Sequence, residues 1–240
     1  MPPLAIDDAT LLEAWDRASP LARPWRELTL LAGVGEAVET LAHLPVGERD
    51  RRLLALRRAV LGDRLECETS CPACGERLEL VLAANALAGA PVDAAVESTV
   101  EHAGYRVRFR LPTNADLAAS SAGPDAAQAL LARCVLEATR GDERLAADTL
   151  PPALLDAVAA RMAELDAQAN VRLALECAAC GHRWEADLDV AGFVLAEIDA
   201  HATRLLAEVH GLASAYGWRE ADILALGPRR RRRYLELAWA

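Results

Sequence analysis

The pattern of apolar and polar positions changes period along the chain, and each change predicts a different element. Up to about residue 62 the apolar residues recur at helical spacing, as in Leu11, Leu12 and Trp15 and then Trp25, Leu28 and Leu31. Pro20 and Pro24 punctuate these two segments, and Gly33 and Gly35 end the second. A third helix is predicted from about Val46 to Leu61, with Leu53, Leu56 and Val60 as its apolar stripe and Gly62 as a left-handed cap. Its arginines, Arg49, Arg51, Arg52, Arg57 and Arg58, read as a solvated face.

From Arg64 to Thr69 the alternation becomes that of a strand, Cys71-Pro72-Ala73-Cys74-Gly75 reads as a tight turn, and Arg77 to Leu82 alternates again. A second hairpin is predicted over about Ser98 to His102 and Tyr105 to Leu111, turning at Ala103-Gly104, after which Asn114 can cap a short helix. Residues 121 to 168 read as two helices. One starts at Pro124 with Leu130, Leu131, Cys134 and Val135 inward, and the other starts near Pro152 with Leu155, Val158, Met162 and Leu165 inward. The stretch around Gly141-Asp142-Glu143 between them reads as a mobile loop. Val171 to Leu175, the turn Cys177-Ala178-Ala179-Cys180-Gly181, and Arg183 to Leu188 repeat the strand–turn–strand design. A long helix is predicted from Val190 to His210, ended by Gly211. Short helices follow over Leu212 to Tyr216, Arg219 to Leu226, and Pro228 onward. The expected fold class is therefore α+β and helix-rich. It divides into N-terminal helices (1–62), a β region with an inserted hairpin and two helices (63–190), and a helical C-terminal region (191–240).

The two cysteine turns form an internal repeat. Aligned without a gap, Cys71 falls on Cys177, Cys74 on Cys180, Gly75 on Gly181, Arg77 on Arg183, Glu79 on Glu185 and Leu82 on Leu188. Two C-x-x-C-G turns supply four thiolates, the number a tetrahedral zinc takes, and the glycine permits positive φ where the chain folds back under a metal. The expectation is one structural zinc ion held by Cys71, Cys74, Cys177 and Cys180, with Arg77 and Arg183 offsetting its negative charge. The halves are farther apart in sequence than the ~15–20 residues of most such sites. Two unrelated turns, a redox pair and a rubredoxin-like iron site are the alternatives. Each pair lies between strands and not at the start of a helix, which disfavours redox chemistry. The repeat places Leu173 opposite Cys67, so Cys67 reads as a small core residue, and Cys134 does too. His182 reads as a surface residue, and His201 and His210 have no catalytic partner placed by the sequence.

Composition adds limits. With 240 residues, 53% apolar, the chain is long enough to bury a core without covalent staples. A net charge of −10 argues against a general nucleic-acid coat. The first ten residues contain no signal-type apolar segment, and no run approaches the ~18 apolar residues of a membrane span, so a soluble, cytoplasmic protein is expected. No nucleophile elbow, phosphate loop, dinucleotide fingerprint or zinc-protease motif is found, and no enzyme is expected. Arg229 to Arg233 are five consecutive arginines in a predicted helix. They read as a protein-docking element, a solvated face or, less compatibly with the overall charge, a phosphate contact.

Three pieces together resemble a known family: Gly62-x-Arg64-Leu65 before the Cys-Pro-x-Cys-Gly turn, the later Cys177-x-x-Cys180-Gly-His182-x-Trp184, and the tail Tyr216-Gly217-Trp218-x-Glu220-x-x-Ile223-x-x-Leu226 running into Arg229-Arg230-x-x-x-Tyr234-Leu235. They resemble the T4-family baseplate hub assembly chaperones of tailed phages and contractile injection systems. The resemblance implies a non-catalytic role in assembling a baseplate or hub, with hub, spike or baseplate proteins as partners. Trp218, Ile223, Leu226, Arg229, Arg230 and Tyr234 are the candidate partner-binding residues, since the terminal amphipathic helices suit a partner groove. The competing reading is a zinc-ribbon nucleic-acid-binding or transcription-associated protein.

Overall fold

The computed structural model describes residues 6–93, 95–120 and 126–239. The chain opens with α1 (Asp8–Ala18), α2 (Trp25–Ala32), α3 (Val38–Ala42) and α4 (Val46–Leu61). Asp7 caps α1 by accepting the Thr10 N–H at 2.8 Å, satisfying a donor that the first helical turn leaves free. The first cysteine hairpin follows as β1 (Arg64–Ser70) and β2 (Arg77–Ala83), then a single turn, α5 (Ala84–Leu87). β3 (Glu97–His102) and β4 (Tyr105–Arg110) form the second hairpin. Ala103 and Gly104 both have positive φ, 50° and 81°, which is the turn whose twist matches the flanking strands.

After α6 (Asn114–Ala119) and α7 (Ala126–Cys134), β5 (Val135–Arg140) and β6 (Glu143–Arg144) join β4, completing an antiparallel sheet in the order β3-β4-β5-β6. α8 (Pro152–Leu165) leads to the last hairpin, β7 (Val171–Glu176) and β8 (Arg183–Leu188). The helices α9 (Val190–Tyr216), α10 (Glu220–Leu224) and α11 (Pro228–Ala238) close the chain. The molecule is thus mixed α+β with small antiparallel sheets, as the periodicities predict. Among the described residues no helix is long and apolar enough to cross a membrane.

Three apolar clusters hold these elements. Leu11, Leu28, Leu53 and Leu56 of the N-terminal helices pack with Val194, Ile198 and Leu205 of α9, and Leu65 of β1 joins them. Val107, Phe109 and Ala138 of the four-stranded sheet pack against Leu155, Val158 and Met162 of α8. Val209, Leu212 and Ile223 form a third cluster that docks the tail on α9. Each cysteine hairpin grows from an element of the first cluster: β1 leaves the end of α4, and β8 runs into the start of α9.

Several local expectations are corrected. Pro124 lies outside the described residues, but the helix predicted there ends at Cys134 instead of carrying Val135 inward. Val135–Arg140 is a strand, paired with β4 from Phe109↔Val135 to Tyr105↔Arg140. β-Branched Val135 and Thr139 suit a strand, and Ala138 is buried opposite Val107. Gly141-Asp142 is the tight turn into β6, with Gly141 at φ 59°, and not a mobile loop. Asn114 is not a cap. Thr113 caps α6 in a reciprocal box with Asp116, while the buried Asn114 amide donates to the Leu41 and Leu44 carbonyls. Gly211 does not end α9, which continues to Tyr216 and is capped by Gly217 at φ 70°. Gly211 faces α11 instead, where a Cβ would lie 2.9 Å from Leu235 Cδ2 and that side chain would have to shift.

The arginines of α4 are not a solvated face. Arg49 is buried against Asp50, and Arg57 is buried against Glu197 of α9. Arg51 and Arg52 fork onto buried Glu48, and only Arg58 of the five is exposed. A helix buried on several sides keeps its charges only if each finds a partner.

Candidate metal centre

The two cysteine turns share one backbone design. The Cys71 N–H donates to the Glu76 carbonyl at 2.8 Å and the Gly75 N–H to the Cys71 carbonyl at 2.9 Å. In the second turn the Cys177 N–H donates to the His182 carbonyl at 2.9 Å and the Gly181 N–H to the Cys177 carbonyl at 2.8 Å. Gly75 and Gly181 sit at φ 76° and 71°, a conformation that side chains oppose. The sequence repeat is therefore a structural repeat. The matched arginines Arg77 and Arg183 even occupy the same register position, opposite the last residue of the preceding strand.

The fold brings the two turns together. The four Sγ atoms of Cys71, Cys74, Cys177 and Cys180 lie within 4.8 Å of one another. Cys71 is 3.7 Å from Cys180 and Cys74 is 3.6 Å from Cys177, so both of these close approaches cross from one hairpin to the other. Sulfurs placed ~2.3 Å from a tetrahedral ion are about 3.8 Å apart. The donor set therefore fits a metal ion, and an ion there would join chain segments more than a hundred residues apart in sequence. Cys71 and Cys177 are buried, while Cys74 and Cys180 face solvent.

The thiols influence one another. Burial raises the Cys71 thiol, but hydrogen bonds from the Cys74 and Ala73 backbone, with the Cys74 and Cys180 thiols, outweigh it and bring it to about 7. The Glu76 backbone lowers Cys74, yet the Cys180 thiol, burial and the other two thiols push it up to about 12. A bound cation would favour the thiolate form of its ligands.

The base of the first hairpin is fixed by Arg57. Its guanidinium takes both carboxylate oxygens of Glu197, at 2.8 and 2.9 Å, and donates to the carbonyls of Gly62 and Arg64, the latter at 2.7 Å. One side chain thus ties the end of α4 and the start of β1 to α9. Arg57→Lys keeps the charge but loses the fork, and is expected to lower stability by about 1–2 kcal/mol. Thermal denaturation of the two proteins checks this.

Other sequence expectations fare unevenly. Arg77 and Arg183 are engaged with carboxylates. Arg77 pairs with Glu68, and Arg183 with Glu176 at 2.9 Å, within their own hairpins. Cys67 stays out of the centre, half-buried and paired in register with Leu80. Cys134 is fully buried among Val107 and Phe109, where burial pushes its thiol up to about 11. His182 is exposed and stacks on Trp184, ring centroids 5.8 Å apart.

The tail corrects the partner-binding set. Ile223 is completely buried in the third cluster and so faces no partner. Trp218 and Tyr234 are half-buried and pack edge to face, 4.9 Å between centroids, with Tyr216 stacked on Trp218. Leu226 is also half-buried, and Arg229 and Arg230 are exposed. Within the arginine run, Arg231 is 2% exposed and donates to Asp8 at 2.6 Å, to Glu208 at 2.7 Å and to the Leu226 carbonyl at 2.6 Å. Sequence reasoning missed Arg57 and Arg231, because the carboxylates that bury them are 140 and up to 223 residues distant.

A family model described as T4 bacteriophage base plate protein matches residues 30–195 of the chain. That span contains both cysteine turns and the insert between them, and stops within α9. No curated protein and no solved structure matches the chain.

Proposed function

The chain belongs to the T4 bacteriophage base plate protein family, and from that premise we propose that it is a non-catalytic assembly factor for the baseplate or hub of a phage-tail-like contractile particle, acting in the cytoplasm. The family match over both hairpins is the observation that carries this reading. The metal would be zinc: an all-sulfur tetrahedral set is the donor set of structural zinc sites, and it leaves no open position for substrate or water. In this role the ion joins the tips of the two hairpins, Arg57 ties the base of the first to α9, and the partner is a hub, spike or baseplate protein.

The exposed face of α11 extends the surface available to such a partner. Arg229 and Arg230 stand free of the molecule's own ion pairs among the described residues, and Leu237 and Trp239 of the same tail are exposed. The test is a tagged pull-down from the native host at moderate salt, with co-purifying proteins identified by mass spectrometry. Hub, spike or baseplate proteins are expected with the wild type and are expected to be reduced by Arg229→Glu/Arg230→Glu. Recovery of polymerase subunits or nucleic acid without tail proteins would contradict the reading and favour the zinc-ribbon alternative.

A further inference from the structure

On a face of the helical core remote in sequence from the cysteine turns, α1, α9 and α10 border an open groove of about 460 Å³. Its apolar lining is Leu12 and Trp15 of α1, Leu206 of α9 and Leu224 of α10. Leu206 is 40% exposed, next to Leu205, which is buried in the core. Trp15 is held in place because its indole N–H donates to Asp199 at 2.8 Å, so its polar atom is already satisfied.

The rim is acidic on both sides. Glu13 and Asp16 come from α1 and Glu220 from α10, and among the described residues no basic side chain lines the groove. Nearby carboxylates of the same helices are paired: Asp8 holds Arg231, and Asp199 holds Arg26. Glu13, Asp16 and Glu220 take part in no ion pair among the described residues. An apolar floor between unpaired carboxylates is the complement of an amphipathic segment with basic flanks. It repels a phosphate backbone, and the net charge of −10 adds long-range attraction for a cationic partner.

We infer that this groove is a docking site for a basic, helical segment of a partner protein, which seats apolar side chains one helical turn apart against Leu206 and Leu224 and sets Arg or Lys side chains against Glu13, Asp16 and Glu220. The inference stands on the groove itself and does not need the baseplate reading.

The test is selection from a display library of random helix-biased peptides on the full-length protein, with counter-selection on Leu206→Glu. Leu206 is exposed, so this variant is expected to melt like the wild type, and its melting curve is recorded beside the binding data. The expected outcome is enriched peptides with paired apolar residues and net positive charge. A synthetic copy should lose binding to Leu206→Glu and weaken by about tenfold or more toward the triple variant Glu13→Gln/Asp16→Asn/Glu220→Gln, with a marked loss as salt is raised. No enrichment, enrichment of neutral or acidic peptides, or binding indifferent to Leu206→Glu overturns the inference. A concentration-dependent dimer of the wild type that Leu206→Glu abolishes also overturns it, because the groove would then take a second copy.

Discussion

Cys177→Ser is expected to reduce bound metal from one ion per chain to none and to release the two cysteine hairpins from each other, while the helical core stays folded. Structural zinc contributes on the order of 10–16 kcal/mol in small zinc domains, where it is the whole of the fold. Here it is not. The cluster of α1, α2, α4 and α9 and the cluster under the four-stranded sheet contain no ligand cysteine. The hairpins, by contrast, are two-stranded sheets, which are marginal alone in water. The loss should therefore appear as protease cleavage within residues 64–83 and 171–188 and a fall in melting temperature on the order of 10 °C, with far-UV helical signal largely retained. Cys67→Ser is the control, since Cys67 is outside the centre, and it should keep the metal. A Cys177→Ser protein with unchanged metal content and unchanged proteolysis would remove the basis for a shared site.

Arg231→Met carries the second large effect. The substitution keeps an apolar stem of similar length but deletes a guanidinium that is 2% exposed and contacts Asp8, Glu208 and the Leu226 carbonyl. It leaves two carboxylates close together and a carbonyl without its donor. Breaking a buried ion pair costs roughly 3–5 kcal/mol. Asp8 and Glu208 retain 24% and 30% of their side-chain exposure and can regain water. The expected loss is accordingly about 2–3 kcal/mol, or about 4–12 °C in melting temperature for a domain of this size. Arg230→Met, one residue earlier and exposed, should change stability by less than about 0.5 kcal/mol. Equal effects of the two substitutions would mean that Arg231 does not dock the tail.

These two residues show where the sequence was legible and where it was not. The cysteine turns were readable because their chemistry is local: two cysteines three apart, a glycine at positive φ and alternating strands on either side. The repeat, which placed Cys71 on Cys177 and Cys74 on Cys180, pointed to the meeting of the two turns. The Ala103-Gly104 turn was readable for the same reason. The roles of Arg57 and Arg231 were not, because charged residues in a row look solvated until the fold brings a remote carboxylate to them. Gly211 looked like a helix stop because a glycine that admits a neighbouring helix has the same symbol as one that caps. β5 was hidden by continuity, since no breaker separates Cys134 from Val135, although Gly141-Asp142 carried a turn signal that pointed to a hairpin. Ile223 was assigned to a partner because an amphipathic helix does not say whether its apolar face meets its own core or another protein.

The arrangement assigns separate tasks to separate parts. The core of α4 and α9 positions two hairpins, Arg57 ties the base of the first to α9, four thiols meet at their tips, and the tail packs on α9 through Ile223 and Arg231. The exposed arginines of α11 and the acidic groove beside α10 are left open to solvent with opposite charge.

Metal-edge X-ray absorption on the purified full-length protein, with metal content measured on the same sample, tests the shared centre most directly. One zinc ion per chain with four sulfur neighbours at about 2.3 Å is the predicted result. A metal with two sulfurs and nitrogen or oxygen neighbours, or wild-type protein whose two hairpins resist protease with no bound metal, would contradict it.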